Sequence, residues 1–323
     1  MSDFANMLTK RAKETNRVSV QGVSEGSKAV DKAESKEEMA SMFAKHKAAT
    51  AKTRDTLNSE VIASAPKQQF LDITTPANGL IKAWSMSRLH NYETCPHTLK
   101  QRSIDKIKTP DSPQAARGTQ IHDMCEQWVK RGSDDLKGDR GTNMDYFRSD
   151  FEKLRSDYDK DKVELEGDWG YRRDWSPCGF FAPDVWGRAK LDAFVMESPT
   201  SCKIIDYKTG RKYMNEIKHG EQGLSYALAT FHRYPDVEHF RVEFWYLDQG
   251  EKMVRNFRRS DLAVLLVRLN NRAVKLTSDT ELTATPSEKA CKWCDFGSNT
   301  NKAGKPYGIS VCEFDYYKGY EIL

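Results

Sequence analysis

All seven tryptophans of this chain lie at or beyond Trp84, and its first 66 residues hold only Phe4 and Phe43 as aromatics, with no Tyr and no Cys. A segment so poor in large apolar side chains cannot bury enough surface to offset the entropy of ordering it. A packed core is therefore expected only from about residue 80 onward, and residues 1 to 80 read as an arm. Residues 29 to 57 lack Gly and Pro and are rich in Ala, Lys and Glu, which predicts a helix within that arm.

The remaining composition narrows the class. Fifty-one basic residues against 47 acidic ones leave only +4, so the total does not mark a polyanion binder and any nucleic-acid surface must be local. No apolar run approaches the ~18 residues of a membrane helix, and MSDFANMLTKRAKE lacks the apolar stretch of an export signal. The expectation is a soluble, cytoplasmic chain with no membrane partner. Seven cysteines, an odd number in such a chain, argue against a disulfide framework and make metal ligation the leading role for Cys291-x-x-Cys294.

Strand and helix signals alternate beyond residue 80. Ser87 is a candidate cap for a helix ending at Cys95-Pro96, and a second helix is expected from Gly118 to about Gly132. A charged helix over 143 to 160 precedes a short strand at Val163 to Gly167. Two strands, Gly187 to Met196 and Lys203 to Lys208, flank the turn Glu197-Ser198-Pro199-Thr200. A helix over 216 to 233, a hairpin about Asp248-Gln249-Gly250 and a helix from Leu262 to Leu276 capped by Ser260 complete the pattern. Such interleaving predicts an α/β fold. No GxxxxGK[ST] loop is present, so no ATP-driven motor is encoded in these residues.

The chemistry concentrates in GRAKLDAFVMESPTSCKIIDYKTG. Asp192 interrupts an apolar strand and Asp206 ends one, positions where a carboxylate is costly unless paired, hydrogen-bonded or metal-bound. Alternation along a strand points Asp206 and Lys208 to one face and Tyr207 to the other. Asp192 and Asp206 would hold Mg2+ or Mn2+, the Tyr207 carbonyl could add a ligand, and Lys208 would orient water or stabilise phosphate charge. Taken alone, D-x-K more often marks a surface ion pair at a strand end.

Beyond these residues, the sequence resembles the PD-(D/E)XK nuclease superfamily, in particular RecB-type domains and their iron–sulfur relatives among AddB-type and CRISPR-associated exonucleases. The matching pieces occur in order: Ser87-Arg88-Leu89 with Tyr92 and Cys95-Pro96, Arg117-Gly118 with His122 and Glu126, Gly187 with Asp192, Ile205 to Gly210, Gln222 with Tyr226, and Pro286-Ser287 before Cys291 and Cys294. The resemblance spans about residues 84 to 315. It implies a restriction-endonuclease-like core, a central mixed sheet flanked by helices, over 81 to 285, with a cysteine-rich tail over 286 to 323.

It further implies that His122 ligates the metal beside Asp192 and Asp206, although a satisfied core histidine would fit the same pattern. An upstream acid corresponds to Glu164 or Glu166, with Glu166 preferred. Gln222 and Tyr226, one helical turn apart, would contact the DNA backbone or support Lys208; simple helix packing is the alternative. Cys95, Cys291, Cys294 and Cys312 would form a staple holding a [4Fe–4S] cluster or, second, Zn2+, with metal-free reduced thiols as the third reading. Here the chain departs from the family, because residues 295 to 311 separate Cys294 from Cys312 where a few residues are usual. Cys125, Cys178 and Cys202 read as packed thiols.

Arg117, Arg172-Arg173, Arg188, Arg211-Lys212 and Arg258-Arg259 are candidate phosphate contacts, with Arg117 and Arg188 preferred. Tyr171, Trp175, Phe180, Phe181 and Trp186 could stack on unpaired bases or pack in the core. The function expected is a metal-dependent deoxyribonuclease, an exonuclease acting on DNA ends or single strands in recombination or repair. The arm would dock a recombination or replication protein, and a phage-encoded enzyme acting in its host would fit. The alternatives are a non-catalytic DNA- or partner-binding module and a structure-specific endonuclease.

Overall fold

The computed structural model describes residues 71–319 apart from 73, 140 and 303, so the helix expected over 29 to 57 and most of the arm lie outside the described residues. Helix α1 (Met86–Thr94) is capped by Ser85, whose hydroxyl accepts from the Arg88 N–H, and not by Ser87. The short α2 (Pro96–Leu99) follows Cys95 directly. Helix α3 (Pro113–Val129) starts five residues before Gly118, because Ser112 accepts from the Ala115 N–H and Pro113 takes the first turn. Helix α4 (Met144–Tyr158) buries Phe147, Phe151 and Leu154.

Strand β1 (Val163–Tyr171) runs four residues past the expected end at Gly167, and β2 (Pro177–Gly179) pairs with its far end. The hairpin of β3 (Gly187–Ser198) and β4 (Ser201–Lys208) is the expected one, slightly longer on each side of the turn. Helix α5 (Glu216–Arg233), strands β5 (His239–Tyr246) and β6 (Glu251–Arg258), and helix α6 (Leu262–Ser278) follow. Asp261, at the end of a 3-10 turn, precedes α6 in place of Ser260. The tail contains α7 (Glu288–Cys291).

The six strands form one sheet in the order β2-β1-β3-β4-β5-β6. Only β4 and β5 are parallel, and α5 supplies the crossover that parallel neighbours require. This is the mixed α/β sheet expected. Side chains separate by strand alternation: Cys202 and Ile204 join a core with Leu89, Leu228 and Leu269, whereas Ile205 and Tyr207 join another with Ile121, Trp128 and Phe151. Helices α1, α5 and α6 thus cover one face, and α3 and α4 the other.

The packed chain begins before residue 80. The Asp72 carbonyl accepts from Arg173 (2.6 Å) and Asn270 (2.8 Å), and the Gly79 N–H donates to the Thr277 carbonyl (2.8 Å). Three of the candidate base-stacking residues, Tyr171, Trp175 and Trp186, are buried with Trp84 in one aromatic cluster and are therefore core. Tyr171 and Trp175 stack at 4.9 Å, with Trp84 edge-on to both.

Gly187 completes this cluster. A Cβ there would lie 1.9 Å from the Tyr171 ring, which its stacking partners hold in place. Gly187→Ala is therefore expected to destabilise the fold by about 1–3 kcal/mol or more. Denaturant melts check this, and an unchanged midpoint would show that the ring can move aside.

Candidate active site

The β3–β4 ladder opens where the two aspartates sit. Its last pair toward the open end is Ala193 with Ile205, so Asp192 and Asp206 are the next residues on the two diverging strands. On the other side of β3, the ladder with β1 has Leu165 opposite Ala193 and Gly167 opposite Leu191, with no pair between. Glu166 occupies that gap in a left-handed conformation, φ 50°, an unfavourable state for a non-glycine residue. Asp192 thus lies on β3 between the positions of Glu166 on β1 and Asp206 on β4, where both ladders of β3 are interrupted. The backbone compensates locally, since the Tyr207 N–H donates to Asp192 Oδ2 at 2.5 Å.

Asp192 Oδ1 lies 3.1 Å from Nδ1 of the half-buried His122 on α3. The His122 ring meets the Tyr207 ring edge-on at 5.7 Å. Asp206 is almost sealed, 3% exposed. Its Oδ2 accepts from Tyr226 OH (2.8 Å) and Gln222 Nε2 (2.9 Å), while Oδ1 faces Lys208 Nζ at 2.5 Å in an ion pair that is not a well-formed hydrogen bond. Lys208 Nζ also donates to Gln222 Oε1 (3.1 Å). Gln222 therefore supports both Lys208 and Asp206. Gly223 permits this, because a Cβ there would come within 2.8 Å of Val242 and push α5 off the sheet.

The electrostatics are those of crowded acids. Burial pushes the Asp206 carboxyl up, against the Lys208 ammonium and with the Asp192 charge. Burial and the charges of Asp192 and Glu126 push Glu166 up to about 7. For His122, burial pulls downward, but the bond to Asp192 and the charges of Asp192 and Asp206 outweigh it and leave it raised. Glu164, the alternative upstream acid, accepts from Trp169 Nε1 (3.0 Å) and does not enter this group.

Hard carboxylate oxygens, one imidazole and excess buried negative charge suit Mg2+ or Mn2+ by donor type. Among the described residues, no three His, Cys, Asp or Glu side chains already converge as an ion site. The oxygens are engaged instead by His122, Lys208, Gln222, Tyr226 and the Tyr207 N–H.

Two openings meet at Lys208. The larger, about 590 Å3, lies between α1, β3 and α5 and is lined by Arg88, Arg188, Lys190, Lys208 and Lys218, with no Asp or Glu among its lining residues. The smaller is lined by His122, Lys208 and Arg211. His219 lines both and had no sequence signal beyond lying three residues before Gln222. Most of the other candidate cations are occupied: Arg117 by Asp139, Asp248 and the Thr209 carbonyl, Arg172 by Asp184, Arg173 by Asn270 and Asp72, Lys212 by Glu251, and Arg259 by the carbonyls of Phe231, Tyr234 and Val237. Arg117 thus anchors the segment after β4.

His219 Nδ1 is 2.7 Å from Tyr246 OH. Burial, with Lys208, Lys218 and His90 nearby, pushes it down to about 4. An unfolded chain takes this proton near the ordinary value of ~6.5, and the folded one only near 4, so stability is lost as pH falls through that window. His219→Asn is expected to flatten the acid-side decline between pH 7 and 4.5 in denaturant melts. A parent–variant difference that does not change with pH would contradict this.

The four candidate staple cysteines line one small pocket with His97 and Phe314. Residues 295 to 311 make an excursion that closes on itself: Ile309 N–H donates to the Asp295 carbonyl (2.8 Å) and Ser310 N–H to Gly297 (3.0 Å). The Cys312 N–H then donates to the Phe296 carbonyl (3.0 Å), returning Cys312 beside the CxxC despite the long spacing. Burial, then the neighbouring cysteines, push the Cys294 thiol up to about 11. Cys125 and Cys202 are buried in the cores, whereas Cys178 is part-exposed on β2.

A family model for the PD-(D/E)XK nuclease superfamily matches residues 83–298. The chain belongs to that superfamily. The match covers α1, the whole sheet, the paired aspartates and the CxxC of this PD-(D/E)XK protein, whose superfamily consists of nucleases that typically use Mg2+ or Mn2+. Among solved structures it is similar to the crystal structure of SSO0001, at 14% identity over 75% of this chain and 91% of that one, with a TM-score of 0.35. It is also similar to LHK-Exo in complex with dAMP, at 10% identity over 61% of this chain and 86% of that one, with a TM-score of 0.32. No curated protein matches it. Among the described residues, no helix is long and apolar enough to cross a membrane.

Proposed function

We propose that the protein is a metal-dependent DNA exonuclease of the RecB-like type, acting on ends or single strands in recombination or repair. The observation that carries this reading is the meeting of Asp192 and Asp206 at the open end of the β3–β4 ladder, with Lys208 on Asp206 and Gln222 behind both. Asp192, Asp206 and His122 would hold Mg2+ or Mn2+, with the Tyr207 carbonyl and Glu166 as further oxygen donors. Bound there, the cation supplies charge stabilisation and an activated water.

The chain's own groups do the rest. Lys208 holds a positive charge where the phosphate must pass, fixed by Asp206 and Gln222 so that little reorganisation is needed. Tyr226, donating to Asp206 Oδ2 or to the Lys190 carbonyl, keeps the carboxylate from turning away. The basic cleft beside Lys208, including Arg188, supplies affinity for the DNA backbone.

The cysteine pocket is proposed as a structural staple for a [4Fe–4S] cluster, with Zn2+ as the alternative occupant, tying the segment before α2 to the tail. The arm is proposed to dock a recombination or replication protein.

End-labelled linear DNA and closed circular DNA, each incubated with Mg2+ or Mn2+, test the activity. Shortening of the linear DNA with the circle left intact is expected. Cutting of the circle would favour an endonuclease, and binding without cleavage of either would favour a non-catalytic module.

A further inference from the structure

We propose that Phe180 and Phe181, on the loop between β2 and β3, form a stacking platform for an unpaired nucleobase and direct the enzyme to single-stranded ends. This rests on the nuclease reading above and names its substrate. The two rings contrast with the other aromatics of this region, which the core absorbs. Phe181 is 81% exposed, and Phe180 forms part of the wall of the basic cleft.

The rings stand edge-to-face at 5.0 Å. The Arg188 guanidinium lies 5.2 Å from the Phe180 centroid and 5.9 Å from that of Phe181, and Lys190 Nζ lies 5.7 Å from Phe180. Arg188 Nε is buried without a hydrogen-bond partner. Burial and the nearby Arg188 charge both pull Arg88 downward, so two cations share this wall without a carboxylate between them. Lys190 is paired with Asp168 (3.4 Å), but Arg88 and Arg188 form no ion pair among the described residues, and an aromatic face beside such cations is the chemistry that binds a base and its phosphate together.

The platform is held in place before any ligand arrives. Ala182 N–H donates to the Gly179 carbonyl (3.0 Å), Val185 N–H to Ala182 (3.1 Å), and Arg172 joins Asp184 to the Pro177 carbonyl. The cleft of about 590 Å3 falls within the size range of pockets for compact ligands, which suits a short stretch of single strand. Because Lys208 lines the same cleft, a base on the phenylalanines and a phosphate at the carboxylates belong to one path. A base inside a duplex is already stacked and offers no free face.

The test measures binding of fluorescent DNA to the full chain in a chelator, where cleavage does not interfere. Phe181→Ala is expected to weaken binding of a single-stranded oligonucleotide by about tenfold. Binding of a closed circular duplex, which has no terminal base pair, should be unchanged, and Phe181→Trp should keep or tighten single-strand binding. Equal weakening on both DNAs, or none on the single strand, would overturn the proposal. Absence of cleavage by the parent in Mg2+ or Mn2+ is a separate result that contradicts the nuclease reading and leaves the binding comparison interpretable. The exposure of Phe181 makes a folding defect in these variants unexpected, and melting curves confirm it.

Discussion

Asp206→Asn and Lys208→Ala are each expected to lower the rate of DNA hydrolysis by at least ~10²-fold, the usual cost of removing a positioned electrostatic group from a reaction centre. They should differ in stability. Asp206 is a sealed carboxylate whose neutral form burial favours, so an amide there relieves the desolvation of one charge while losing one ion pair. Its melting temperature without metal should stay within a few degrees of the parent's. Lys208→Ala instead leaves the buried Asp206 without its cation, and a cost of about 3 kcal/mol is expected above neutral pH. Steady-state hydrolysis and melts of the same preparations check both. Equal stability losses would mean that the pair serves the fold.

The second large effect concerns the cysteine pocket. If Cys95, Cys291, Cys294 and Cys312 hold a cluster or ion, its binding free energy is also folding energy for the tail. Cys291→Ser should then release the metal and lower the melting temperature on the order of 10 °C, whereas Cys125→Ser, in the core beneath α3 and α4, should leave metal content unchanged. Elemental and sulfide analysis of anaerobically purified protein is the readout. Iron with sulfide supports the cluster, stoichiometric zinc replaces it, and a metal-free parent whose variant melts unchanged removes the staple.

What the sequence disclosed follows from which forces are local. Strand alternation is local, so Asp206 and Lys208 on one face and Tyr207 on the other are legible, as is the hairpin that joins their strand to that of Asp192. Alternation could not separate Glu164 from Glu166, which share a parity. The left-handed conformation at Glu166 and the Trp169 bond to Glu164 distinguish them, and both depend on tertiary packing. Ser112-Pro113 carried a helix-start signal, but Gly118, which α3 tolerates in its interior, drew the expected boundary inward. The return of Cys312 depends on backbone bonds within residues 295 to 311, which no spacing rule anticipates. Composition likewise cannot tell the buried Trp175 from the exposed Phe181.

If the Asp192–Asp206 centre is a metal-dependent phosphodiesterase site, metal binding and cleavage must be lost together when its carboxylates are removed. Calorimetric titration of Mn2+ into the parent and into the Asp192→Asn/Asp206→Asn double variant, with cleavage of linear DNA followed on the same samples, tests it most directly. A Mn2+ site and metal-dependent cleavage are expected in the parent and neither in the double variant. Unchanged Mn2+ binding and cleavage in the double variant, or cleavage by the parent in excess chelator, would contradict that assignment.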